Sequence, residues 1–144
     1  MARVLGIDLG SRRIGVAVSD GLGLTAQPRL TLARRGGRRD IEAIAAAVKE
    51  AEADRIVLGL PLTPEGKEGP AALAARAFAD KLAAASQLPV ELVDESFSTV
   101  EAEEVLLAAD LSRRRRKQVV DKLAAAVILQ RWLDAQRSPT KENS

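Results

Sequence analysis

The chain has 144 residues, 47% hydrophobic and 29% charged, with a net charge of +2 and neither cysteine nor histidine. It is long enough to bury one core and too short for two. The missing residue types exclude disulfides, thiolate nucleophiles, a serine triad and zinc held by cysteine or histidine. A resident metal would sit on oxygen ligands, which favours hard ions such as Mg²⁺ or Mn²⁺.

In chain order, Arg3–Leu9 reads as a buried strand and Arg13–Ser19 as a second, linked by Gly10-Ser11-Arg12 in a hairpin. A third extended segment falls within Ala26–Ala33, where Pro28 marks an edge or a bulge. Gly36-Gly37 breaks the chain, and Asp40 is expected to cap a helix with Ile41, Ile44, Ala45 and Val48 on one face. Residues 56–60 form a short apolar strand ended by Pro61, and a loop rich in proline and glycine follows. Pro70 opens a helix to about residue 85, where its missing N–H costs least, and residues 90–93 form the next strand. Ser98 and Glu101 make a capping box for a helix ending near Ala109, and a turn near Leu111-Ser112 leads to a last helix through about Ala135. Residues 1–137 thus read as one domain and 138–144 as a polar, flexible tail. Three early strands on short links favour antiparallel pairing, and later strands alternating with helices favour parallel additions. The expected fold is α/β: a mixed five-stranded sheet, three antiparallel strands plus two parallel additions, with helices on its faces.

Three acidic positions break the apolar pattern. Asp8 stands inside a run that otherwise reads as a central strand, between Gly6 and Gly10, which leave room for close approach. It is either a metal or phosphate site or a turn cap. Asp94 and Glu95 end the strand before them, and as neighbours they point to opposite faces, so one of them is expected to face Asp8. Asp121 shares a helix face with Ala124, Ala125, Ile128 and Trp132, which demands a partner: a metal, or a basic side chain. If the fold joins Asp8, Glu95 (or Asp94) and Asp121, they make an oxygen cage for two metal ions that cut a phosphodiester. Arg113, Arg114, Arg115, Arg116 and Lys117 occupy the first turns of the last helix, where cations oppose its dipole. They are either a solvated charge run or a phosphate-holding surface beside Asp121. The loop carrying Lys67 is a candidate anion site or lid, without the Walker spacing. With only Phe78, Phe97 and Trp132 as aromatics, base stacking on an aromatic platform is not expected.

Four segments in order resemble one known family. Gly6-Ile7-Asp8-Leu9-Gly10-Ser11-Arg12-Arg13-Ile14-Gly15-Val16-Ala17-Val18-Ser19-Asp20 is similar to the opening of the YqgF/RuvX family, RNase H-like proteins described as pre-16S rRNA nucleases or as Holliday-junction-resolvase-like. Gly59-Leu60-Pro61-Leu62 with Gly66-Lys67-Glu68-Gly69-Pro70 resembles its second signature. Val93-Asp94-Glu95-Ser96-Phe97-Ser98-Thr99-Val100-Glu101-Ala102 resembles its third, and Val120-Asp121-Lys122-Leu123-Ala124-Ala125 its fourth. The third departs in one place: Ser96 stands where the family usually has arginine. Arg12, Arg13 or the run from Arg113 could replace that cation.

The resemblance implies an RNase H-like fold with catalytic and metal-holding Asp8, Glu95 (or Asp94) and Asp121. It implies a metal-dependent nuclease using Mg²⁺ or Mn²⁺, two ions by expectation, to process the 5′ end of pre-16S rRNA. A junction resolvase on branched DNA and a non-catalytic RNA-binding assembly factor are the alternatives. Gly6–Gly10 is also similar to the phosphate-binding opening of the actin and sugar-kinase group, but those proteins close two lobes over ATP. Arg12, Arg13, Lys67, Arg113, Arg114, Arg115, Arg116 and Lys117 are the expected nucleic-acid contacts. The longest apolar runs fall well short of the roughly 20 residues of a membrane helix, and no signal-peptide pattern opens the chain. The expected setting is therefore cytoplasmic, with no membrane partner, as a monomer or weak dimer.

Overall fold

A computed structural model of the chain describes residues 3–96, 98–108 and 112–137. Nine elements follow one another: β1 (Arg3–Leu9), β2 (Arg13–Ser19), β3 (Ala26–Ala33), α1 (Gly37–Ala51), β4 (Ala53–Leu60), α2 (Pro70–Ser86), β5 (Val90–Asp94), α3 (Ser98–Ala108) and α4 (Arg113–Gln136). The sheet order is β3-β2-β1-β4-β5. β1 pairs antiparallel with β2 and parallel with β4, β2 pairs antiparallel with β3, and β4 pairs parallel with β5. The expected mixed sheet of three antiparallel strands and two parallel additions is what forms.

Alternation along the strands separates two cores. Leu5, Ile7, Ile14, Val16, Ile56 and Leu58 pack with α1 and α2 on one face. Val57 and Ala17 pack on the other against Ala125, Ile128, Leu129 and Leu133 of α4. β1 is central because both its faces are covered, so it tolerates a charge only at its end. β3 is an edge strand, and its register slips between Val16 and Ala17, opposite Leu30 and Pro28. Pro28 therefore marks both an edge and a bulge, as its missing N–H requires.

Two local readings need correction. β4 begins at Ala53, three residues before the apolar stretch, because β1 supplies backbone partners as far back as Arg3. Asp40 is not the N-cap of α1. The helix starts at Gly37 with Gly36 as cap, and Asp40 lies in the first turn. Its carboxylate nevertheless accepts N–H bonds from Arg35 (2.8 Å) and Gly36 (3.3 Å), doing the work of a cap from inside the helix. The buried face of α1 is Ile41, Ile44, Ala47, Val48 and Ala51, with Ala45 half-buried. Ser112 caps α4 by accepting the Arg115 N–H. The capping box at Ser98, the turn near Leu111 and the tail 138–144 fall outside the described residues or side chains. Among the described residues no helix is long and apolar enough to cross a membrane.

Candidate active site

The carboxyl end of β1 places Asp8 on the α4 side of the sheet, because Leu5, Ile7 and Leu9 take the opposite side. Asp8 pairs in register with Gly15 of β2. Over Gly15 the backbone of α4 comes so close that a β-carbon there would lie 2.0 Å from the carbonyl oxygen of Asp121. The absent side chain thus seats the acidic turn of α4 directly beside Asp8. Gly6 admits Leu129 in the same way, a β-carbon there falling 2.7 Å from the Leu129 Cβ.

Glu95 arrives from the third side. Its N–H donates to the Leu60 carbonyl oxygen, prolonging the β4–β5 pairing by one step. Its carboxylate lies against Gly59, where a β-carbon would be 2.7 Å from Oε1. Glu95 follows Val93, which packs on the α4 side, by two residues. Asp94 turns away: it is exposed, and its Oδ1 accepts the Ser96 N–H (2.8 Å) and hydroxyl (2.6 Å). Those two Ser96 bonds, with Arg131 nearby, hold the Asp94 carboxyl below its ordinary range against the opposing effect of partial burial. The acid brought toward Asp8 is Glu95.

The electrostatics record this approach. Burial, then the charge of Asp121, pushes Asp8 up to about 6. Burial, then the charges of Asp8 and Asp94, pushes Glu95 up to about 7. Asp121 instead has a cation: Arg13 Nε donates to its Oδ2 at 2.6 Å. The demand of an acid on an apolar helix face is met by that bond. Among the described residues no three Asp, Glu, His or Cys side chains close on one point at metal-holding spacing. The donor set is all carboxylate oxygen and carries a surplus of negative charge, which suits hard divalent cations.

The basic residues divide. Arg13 is tied to Asp121, whereas Arg12 is exposed, its carbonyl accepting the Arg34 N–H. Lys67 is exposed on a tight loop closed by Thr63 N–H to Lys67 O at 2.8 Å. Arg115 is exposed near the start of α4, while the side chains of Arg113, Arg114, Arg116 and Lys117 lie outside the described ones. Where the third motif has Ser96, Arg131 of α4 is close by, donating to the Asp94 carbonyl oxygen (3.0 Å) and to Glu101 (2.7 Å). The sequence did not single out Arg131, since one arginine amid a helix has no local signature. Arg34 was not singled out either. It lines a cleft at the carboxyl ends of β1 and β4.

A buried aspartate at the end of a central strand, an acid beyond a parallel neighbour and an acid on the covering helix define a carboxylate-centred site on an RNase H-like fold. RuvC of Thermus thermophilus, solved in complex with a Holliday junction substrate, superposes with a TM-score of 0.61 at 16% identity, covering 96% of this chain and 98% of that one. The fowlpox virus resolvase, solved with Holliday junction DNA, superposes with a TM-score of 0.60 at 10% identity over 93% of this chain and 98% of that one. The family model described as "RuvX: Holliday junction resolvase" matches residues 2–135, and the chain belongs to that family. A Myxococcus xanthus protein named "Putative pre-16S rRNA nuclease" is 54% identical over 95% of this chain and 91% of its own length. A protein of the same name from Pelotomaculum thermopropionicum is 50% identical over 97% of this chain and 92% of its own.

Proposed function

We propose that the protein is a metal-dependent nuclease that processes the 5′ end of pre-16S rRNA. The observation that carries this reading is the approach of Glu95 and Asp121 to Asp8 from separate elements, with Asp8 and Glu95 raised by their surroundings. Burying Asp8 and Glu95 within reach of other acids costs stability, and such a cost is characteristic of a site built for cations or protons. The names of the full-length relatives support the RNA substrate.

Asp8, Glu95 and Asp121 would hold Mg²⁺ or Mn²⁺, two ions by this reading, and the ions would supply an activated water and stabilise the leaving oxygen. The chain's own contribution is positional. β1 fixes Asp8, α4 sets Asp121 over Gly15, and Arg13 balances the charge of Asp121 in the resting site. Glu95, pushed up to about 7, can hold or release a proton at working pH. Arg12, Lys67 and the basic start of α4 are the phosphate contacts, and the site works in the cytoplasm.

A second reading, cleavage of branched DNA, is favoured by the description of the matching family. End-labelled precursor rRNA leader and a four-way DNA junction, each incubated with Mg²⁺, Mn²⁺ or chelator, separate the two. Metal-dependent cutting of the leader that disappears in Asp8→Asn supports the main reading. Preference for the junction would replace it with the resolvase, and no cutting of either would leave an RNA-binding assembly factor.

A further inference from the structure

On the face of the sheet away from Asp8, a cleft of about 350 Å³ opens at the carboxyl ends of β1 and β4. Crevices at this place in open α/β sheets are where ligands settle, and a volume of roughly 300 Å³ upward accommodates a small organic group. Leu9, Pro61, Ala74, Ala75 and Phe78 give it apolar walls, and Arg34 is the ionisable residue lining it.

Arg34 is held from behind. Its Nε donates to Asp40 Oδ2 at 2.7 Å and its Nη1 to the Gly10 carbonyl oxygen at 2.6 Å. Asp40 is 1% exposed. Burial alone would raise its carboxyl, but the bonds from the Arg35 N–H and from Arg34 outweigh that and hold it below its ordinary value. A buried ion pair of this kind contributes little net stability. What it provides is a guanidinium in one orientation, whose Nη2 meets no partner among the described residues.

The cleft and the carboxylate site share Gly59. One side of Gly59 lines the cleft, and the other lies against Glu95, 2.7 Å from a β-carbon position to Oε1. A strand laid across the carboxyl ends with a phosphate at Asp8 and Glu95 therefore brings its next nucleotide to the cleft. We propose that the cleft takes the unpaired base of the nucleotide beside the scissile phosphate of an RNA strand, with Arg34 Nη2 donating to an acceptor on the base edge. Apolar walls suit the base faces, and proteins read single-stranded RNA from bases splayed out of the stack. This deepens the nuclease reading and rests on it.

The test is binding, so it does not depend on cutting. Fluorescence anisotropy of a labelled single-stranded rRNA-leader oligonucleotide is measured with Asp8→Asn protein in Mg²⁺. Ala74→Trp is then added, filling the cleft from a position exposed on α2. Arg34→Gln is made in parallel, with circular dichroism to check folding. Each is expected to weaken binding about tenfold, the scale of one lost base contact. An abasic nucleotide moved along the oligonucleotide should weaken the parent at one position, with no further loss in the Ala74→Trp protein. Unchanged affinity in Ala74→Trp, or an abasic scan with no sensitive position, would overturn the proposal. Should Arg34→Gln fail to fold because Asp40 is left buried without its cation, Ala74→Trp alone decides. Failure of the wild type to cut the leader would instead count against the nuclease reading.

Discussion

Gly15 and Asp121 meet backbone to backbone: a β-carbon on Gly15 would lie 2.0 Å from the Asp121 carbonyl oxygen and 2.4 Å from its carbon. Neither atom belongs to a side chain that could swing aside. Gly15→Ala must therefore lift the acidic turn of α4 from β2 or bend β2 away from β1. Overpacking of this kind costs about 3 kcal/mol, or roughly 10 °C in melting temperature for a chain of this size. Cleavage should fall at least a hundredfold even at temperatures where the variant remains folded, because Asp121 no longer faces Asp8. Thermal melts with single-turnover cleavage assays read both effects.

Gly59→Ala makes the instructive contrast. Its β-carbon would meet Glu95 Oε1 at 2.7 Å, Ile128 Cδ1 at 2.9 Å and Glu95 Cβ at 3.0 Å, all of them side-chain atoms rather than backbone. The fold should lose only about 1 kcal/mol, while displaced Glu95 lowers kcat tenfold or more. A melt close to wild type with reduced kcat is the expected pair of results. Wild-type kcat would remove Glu95 from the site.

Ionised Asp8 works against the stability of the resting protein. Its carboxyl is raised from 3.8 to about 6 by burial and by Asp121, which corresponds to a cost of about 3 kcal/mol when it is ionised. Asp8→Asn removes that charge with little change of shape. The variant should be inactive and yet melt higher than wild type by several degrees at pH 7.5 in chelator. Differential scanning calorimetry checks the sign, and a lower melting temperature would show that Asp8 is stabilised by something its charge brings.

Much of this architecture was legible in the sequence because the strands carry their own signal. β1, β2 and β3 fall at the bounds that apolar alternation and the Gly10 and Pro28 breaks predict. The acids at 8 and 121 were visible because each interrupts an apolar pattern. Asp94 and Glu95 could not be separated, since Leu92 and Val93 are both apolar and the lone Glu91 does not say which side of the strand faces Asp8. The choice is made by β5 pairing with β4 in the register Leu60 to Asp94, a tertiary fact. Asp40 was misread because its place in the first turn of α1 mimics a cap, and its bond to Arg34 depends on how residues 34–36 turn back.

The raised acids also set the pH dependence of stability. A carboxyl whose folded value exceeds its unfolded one binds a proton more tightly when folded, so its ionisation penalty is full above the folded value and is relieved as pH falls toward the unfolded one. For Asp8 that window runs from about 6 down to 3.8, and for Glu95 from about 7 down to 4.5. Stability in chelator should therefore rise from pH 7.5 toward pH 5. Below about 4, with that relief complete, it should fall, as the pH drops toward the values of Asp40 and Asp94, whose carboxyls are lowered by their hydrogen bonds. Melting temperature against pH should lose much of its upper rise in Asp8→Asn. Activity should run the other way, increasing with pH through 6 to 7 as the two acids ionise, with Mg²⁺ shifting the midpoint downward.

Arg13 competes for the site it helps to shape. Its Nε occupies Asp121 Oδ2 at 2.6 Å, and its side chain is 48% exposed, so the bond contributes about 1 kcal/mol or less to stability. A cation approaching Asp8 must share Asp121 with that guanidinium or displace it. Arg13→Ala frees the carboxylate and removes a positive charge, and both effects favour the cation. The Mg²⁺ concentration giving half-maximal cleavage should fall severalfold, while KM for RNA rises because a positive charge beside the site is gone. Mg²⁺ titrations at saturating substrate, beside substrate titrations at saturating Mg²⁺, separate the two effects. An increased Mg²⁺ requirement would mean that Arg13 orients Asp121 for the ion rather than competing with it.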